Sequence, residues 1–383
     1  MPLGNKLKLK GPLFPRVNKS GPVWAGPGSK GDNGGVTFSL LSRYLVCPER
    51  FRLKVIEGLR PAPKFEHRLE YGSMWHACEE AVAAGRDWRN ELAGYTARLQ
   101  QRYPTQREQV DHWANVCAVQ FPVYLQFWEA HPDVVGANTL EQEKAFSVPY
   151  KLPSGRVAYL RGKRDRVNLI DGGVYLQENK TKGDINEPLM KRQLTFDLQT
   201  MMYLTALVET QVGKRPVRGV RYNVVRRPLS GGEGQITQRK GSKNVPAETS
   251  NQFYARLRGV IDGTGVKQTG EPYQGPAYWF MRWKVEVSPG DHARFRRECL
   301  DPVLENLLDD YEWWYHCHSN KGDVWDYEAR RRRFPLHAAR YYRRPFGVYN
   351  VLDEGGASEL DEYLHTGSEL GLVRTAELFP ELQ

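Results

Sequence analysis

From Phe38 onward, apolar residues return every three or four positions, and Leu40, Leu41, Tyr44 and Leu45 read as a short helix capped by Ser39 and ended by Cys47-Pro48. The same period predicts helices over 66–84, 87–102 and 106–130, the last carrying Trp113, Val116, Cys117, Val123, Phe127 and Trp128 at helical intervals, with a bend at Pro122. After His131-Pro132 the period shortens to two. Residues 141–148 and 156–170 are rich in β-branched and aromatic side chains, and Asp171-Gly172-Gly173 supplies a turn into a strand over 174–180, which makes a hairpin. A helix over 188–212, a strand over 217–225, a basic Gly-rich loop over 226–243, a helix over 248–261, a strand over 278–287 and a long helix over 289–315 complete the pattern. Strands flanked by helices predict an α/β (α+β) fold with a mixed central sheet and an N-terminal helical region.

Composition narrows the class. The 383 residues are 40% hydrophobic and 26% charged, ordinary globular usage, and 55 Lys plus Arg against 45 Asp plus Glu give a net charge of +10. A basic balance favours a polyanionic partner. No apolar run approaches the ~18 to 20 residues of a membrane helix, and no secretory h-region opens the chain, so a soluble cytoplasmic protein is expected, with no membrane partner. Five scattered cysteines argue against a disulfide framework, and His316-Cys317-His318, on a predicted helix, point to different faces and do not suit a shared metal. Residues 1–35 hold eight Gly, five Pro, six Lys or Arg and one acid. They read as a flexible basic arm, either a plain tail or a phosphate contact.

The chemistry concentrates in Gly162-Lys163-Arg164-Asp165-Arg166-Val167 and, thirteen residues after Asp165, in Glu178-Asn179-Lys180. On the predicted hairpin Asp165 lies within one strand, and Glu178 and Lys180, two apart, project from one face of its partner. The same spacing also suits a surface strand with a salt bridge. Buried, two carboxylates would need pairing or a cation, and hard oxygen ligands suit Mg²⁺ or Mn²⁺, which polarises a phosphoryl oxygen and lowers the pKa of water. Lys180 would orient that water or stabilise charge developing on the phosphate. His76 sits with Glu80 one turn later on one helix face, where a neutral imidazole could complete a metal shell. Gln199 and Tyr203, likewise four apart, can bond a phosphate or stack on a base.

In order, Gly72 and His76 (GxxxH), Gly162, Asp165 and Arg166 (GxxDR), Glu178 and Lys180 (ExK) and Gln199 and Tyr203 (QxxxY) resemble the RecB-type branch of the PD-(D/E)XK nucleases. Residues 39–51, SLLSRYLVCPERF, are similar to the opening of that branch, including its CRISPR-associated and AddB-like members. The resemblance runs over about residues 38–350. It implies a restriction-endonuclease-like sheet and metal-dependent hydrolysis of DNA, with Asp165, Glu178 and Lys180 catalytic. His76, Asp165, Glu178 and the carbonyl of Asn179 would hold Mg²⁺ or Mn²⁺, Glu80 being an accessory residue. Gln199, Tyr203, Arg166 and the run Arg330, Arg331, Arg332 and Arg333 are the expected DNA contacts.

The corresponding division is an arm over 1–35, a helical part with the GxxxH motif over 36–135, a nuclease core with its C-terminal closure over 136–350 and a tail over 351–383. Many members bind a [4Fe-4S] cluster through the early cysteine, here Cys47, and three late ones. Residues 334–346 contain no cysteine, so no iron–sulfur cluster is expected, Cys47 reads as a buried apolar residue, and closure falls to Tyr341, Tyr342, Phe346 and Tyr349. The leading expectation is an exonuclease of recombination, repair or phage DNA processing, in a bacterial cell or phage-infected host. A structure-specific or restriction-type endonuclease, or a non-catalytic DNA-binding subunit, are the alternatives. No GxxxxGK[ST] phosphate loop occurs, so unwinding would need a partner such as a helicase, and a recombinase is a further possible partner.

Overall fold

The computed structural model describes residues 24–319 apart from 57, 62, 133–137, 195–196 and 244, together with Arg333 and 372–374. In chain order, α1 (Phe38–Val46), α2 (Pro48–Phe51), β1 (Leu59–Pro61), α3 (His67–Ala83), α4 (Trp88–Arg102) and α5 (Arg107–Ala130) precede β2 (Asn138–Lys151), β3 (Val157–Ile170) and β4 (Gly173–Lys182). Then follow α6 (Glu187–Leu194), α7 (Leu198–Thr210), β5 (Val217–Arg226), α8 (Ser250–Asp262), α9 (Pro276–Trp279), β6 (Phe280–Glu286), α10 (Pro289–Phe295), α11 (Asp301–Ser319) and β7 (Leu372–Arg374). The main sheet has five strands in the order β2-β3-β4-β5-β6, and β1 pairs with β7 separately. Its pairings are mixed: β3 and β4 run antiparallel, β4 and β5 parallel, β5 and β6 antiparallel. This is the restriction-endonuclease-like α/β architecture, with helices flanking a mixed sheet and a helical N-terminal region. Among the described residues no helix is long and apolar enough to cross a membrane.

Two compact units share the chain, each assembled from separate segments. The first takes Met1–Ala62, Ala145–Lys163 and Pro289–Gln383; the second takes Pro63–Lys144 and Arg164–Ser288. In the first, Trp24 is buried, its indole Nε1 donates to the Gly35 carbonyl at 3.1 Å, and its own carbonyl accepts from the Tyr311 hydroxyl at 2.8 Å. Gly26, at φ +104°, lies so close to the Tyr311 ring that a Cβ would strike it. Residues 24–35, read from composition as part of an arm, are therefore held in a packed turn, while residues 1–23 lie outside the described residues. The cap of α1 is Thr37 rather than Ser39: its hydroxyl accepts the Leu40 amide at 3.2 Å, and the helix buries Leu40, Leu41 and Tyr44. Cys47 is fully buried, as expected, and Pro48 opens α2. Residues 341–349, expected to close the core, lie outside the described residues.

In the second unit, α3, α4, α5 and α8 pack around a largely aromatic core that includes Tyr71, Trp75, Trp113, Phe121 and Trp279. The ring of Trp75 meets that of Phe121 edge-on at 4.9 Å, the arrangement the ring quadrupoles favour. Pro122 sits inside α5, which continues as one 24-residue helix. The hairpin turn has Asp171 at φ 48° and Gly172 at φ 74°, the two left-handed residues that match the twist of antiparallel strands. The helix predicted over 188–212 is two. Asp197 accepts the Thr200 amide at 3.1 Å and starts α7 afresh, a capping signal hidden inside an apolar run. The expected long helix from Pro289 is continuous to Ser319, with one wider π turn at Arg296–Leu300 joining α10 to α11.

Candidate active site

Strand β4 sets the arrangement by alternation: Glu178 and Lys180 share one face, Gln177 and Asn179 the other. Glu178 is 1% exposed, and Lys180 Nζ donates to its Oε2 at 3.1 Å and to Gln199 Oε1 at 2.6 Å. The Asp197 cap places Gln199 in the first turn of α7, facing β4. Burial pushes the Glu178 carboxyl up to about 7, against the pull of Lys180. Burial also works against the Lys180 ammonium, but Glu178, Asp197 and Asp165 outweigh it and hold its pKa above the ordinary value.

The β3–β4 ladder runs from Ile170–Gly173 to Arg166–Gln177. One step further, the Asn179 amide donates at 2.7 Å to Asp165 Oδ2, a side chain in place of a backbone acceptor. The other oxygen, Oδ1, lies 4.0 Å from His76 Nδ1 on α3. Gly72, one turn before His76, lets α3 approach β4: a Cβ there would come within 2.9 Å of the Thr181 hydroxyl. The glycine of GxxxH thus serves close helix–strand packing, while Trp75 beside His76 belongs to the core.

His76, Asp165 and one residue that the sequence reading missed, Glu143 on β2, each offer a ligand atom, all within 4.8 Å of one another. Glu178 does not join that triplet; it is held by Lys180 instead. Its Oε1 is nonetheless buried and has no hydrogen-bond partner, an orphaned oxygen of the kind a cation satisfies. Carboxylate oxygens with one imidazole fit a hard divalent ion. The signal for Glu143 was the acid pair Glu141 and Glu143 on one strand. Glu141 pairs with Arg164, which is 2% exposed and whose pKa burial lowers.

On the other face of β4, Asn179 Oδ1 accepts from Asn223 Nδ2 at 3.0 Å and from Gln177 Nε2 at 3.2 Å. Asn223 Nδ2 also donates to Glu79 Oε1 at 2.9 Å, and Glu79 accepts from the Tyr124 hydroxyl at 2.7 Å. This network clamps the backbone of Asn179 from behind. Glu79 rather than Glu80 enters it, and Glu80 is half-buried outside the triplet. Tyr203 is 7% exposed on α7, and Arg166 is half-buried on β3. Of the arginine run, Arg333 Nε lies 2.6 Å from Asp310 in the first unit, whereas Arg330, Arg331 and Arg332 lie outside the described residues.

A family model described as the PD-(D/E)XK nuclease superfamily matches residues 36–275, a span that includes His76, Glu143, Asp165, Glu178, Lys180 and Gln199. A solved structure described as the crystal structure of SSO0001 is similar over 72% of this chain and 91% of its own, at 13% identity and a TM-score of 0.23. No curated protein matches.

Proposed function

Because the chain belongs to the PD-(D/E)XK nuclease superfamily, we propose that it is a metal-dependent DNA exonuclease of the RecB-type branch, working in recombination, repair or phage DNA processing. The observation that carries this reading is the pair Glu178 and Lys180, joined at 3.1 Å on one buried face of β4 beside a strand whose ladder yields to the Asp165 carboxylate. In it, His76, Asp165, Glu178 and the carbonyl of Asn179 hold Mg²⁺ or Mn²⁺, which when bound polarises the phosphoryl oxygen of the substrate. Lys180 places its ammonium where charge develops on the phosphate, and Gln199 fixes the direction of that ammonium through its 2.6 Å bond. Tyr203, one turn after Gln199 on α7, helps Gln199 position the strand. Arg166 and the run Arg330 to Arg333 contact the DNA backbone. A partner helicase supplies any unwinding, in the cytoplasm of a bacterial cell or infected host.

End-labelled linear single- and double-stranded DNA, followed over time with Mg²⁺, Mn²⁺ or EDTA beside a covalently closed circle, tests this. Metal-dependent loss of the linear DNA alone is the expected result. Cleavage of the circle would make the protein an endonuclease, and a shifted but intact DNA would make it a binding module.

A further inference from the structure

We propose that Glu143 is a metal-holding carboxylate of this chain, in addition to the ligands carried by α3, β3 and β4. The inference rests on the metal-dependent reading above. Three elements deliver the donors: α3 gives His76, β2 gives Glu143 and β3 gives Asp165, all within 4.8 Å of one another. Two carboxylates and an imidazole so close together form a donor set that a divalent cation would take. A buried carboxylate on β4, next to β3 in the sheet, is also left with an unsatisfied oxygen. Glu178, 1% exposed and in the electrostatic field of Asp165, keeps Oε1 buried without a hydrogen-bond partner.

The backbone at Glu143 shows how the strand delivers it. Regular alternation would put Glu141 and Glu143 on the same face, and Glu141 pairs with Arg164 at 2.8 Å. Glu143, however, has φ +45°, a left-handed conformation unusual for a residue with a side chain inside a strand. That conformation frees its carboxylate from the face of Glu141. The resulting set of carboxylates with one imidazole suits Mn²⁺, which accepts both donor types.

The test is Mn²⁺ binding to the full chain without DNA, by isothermal titration calorimetry, with the melting temperature recorded in EDTA. Glu143→Gln keeps the shape and removes the charge; Glu143→Gly removes the side chain and relaxes the positive φ. Both are expected to bind Mn²⁺ at least tenfold more weakly than the wild type while melting in EDTA no lower than it does. Asp165→Asn serves as the reference for loss of the site. A weakening below tenfold in a folded Glu143 variant, with binding lost in Asp165→Asn, overturns this inference and leaves the nuclease reading in place. Loss of fold in both Glu143 variants also overturns it, since the residue would then be structural, and a wild type that binds no Mn²⁺ overturns both readings.

Discussion

Lys180 is a half-buried charge, tolerated because Glu178 and Gln199 both accept from its ammonium. Lys180→Ala should lower the rate of metal-dependent DNA cleavage by roughly 10² to 10³-fold, the scale of losing one preorganised charge at the reacting phosphate. Binding of labelled DNA in EDTA, read by fluorescence anisotropy, should stay within about twofold of wild type, because phosphate contacts away from the site dominate affinity. Loss of both binding and fold would instead mark the pair as a structural salt bridge. That Glu178 and Lys180 share a face was legible, because strand alternation turns a spacing of two into one face. Glu143 left only the fainter signal of the acid pair Glu141 and Glu143, because its positive φ, which sets it apart from Glu141, cannot be read from spacing. The bond from Lys180 to Gln199 was equally hidden, because sequence spacing says nothing about how far a helix stands from a strand.

Elements carry their own predictions. A helix-interior Gly→Ala change is ordinarily worth about 1 kcal/mol in favour of alanine. At Gly72 the new Cβ would meet the Thr181 hydroxyl at 2.9 Å, so Gly72→Ala should instead push α3 from β4 and reduce cleavage by separating His76 from Asp165. The double variant Gly72→Ala with Thr181→Ala should recover most of the activity. A single variant that is both more stable and fully active would refute the packing account.

The loop before α8 is fastened by another contact: Glu248 accepts from Arg256 at 2.8 and 2.7 Å and from the Arg239 amide at 2.9 Å. Bonding to Arg256 holds its carboxyl down to about 2, from an ordinary 4.5. A depressed carboxyl stabilises the fold above its unfolded pKa, and that stability drains away as pH falls toward the folded value. The melting temperature of Glu248→Gln should therefore lie below wild type at pH 7 and 5, and the gap should close between about pH 4.5 and 2. Most element types were readable from periodicity. The missed break at residue 197 came from a short polar signal, Asp197 to Thr200, set within a stretch whose apolar period ran on regardless.

At the scale of the molecule, the net charge of +10 makes DNA affinity a matter of counterion release. With about six phosphate contacts, binding should fall roughly 10³-fold between 50 and 200 mM salt, and a slope near zero on a log–log plot would exclude a backbone-tracking mode. The mixed sheet and its helical flank were legible from the order of the predicted elements. The division into two interleaved units was not, because it depends on where β2 and β3 cross from one unit to the other.

The parallel pairing of β4 with β5 has a consequence for the order of synthesis. Glu178 lies opposite Tyr222 and Lys180 opposite Val224, and the crossover through α6 and α7 must be made before β5 exists. A ribosome-bound chain halted before residue 217 already holds His76, Glu143, Asp165, Glu178, Lys180 and Gln199, yet lacks the strand against which β4 is aligned. Nascent chains should accordingly remain inert toward DNA until β5 has emerged from the exit tunnel.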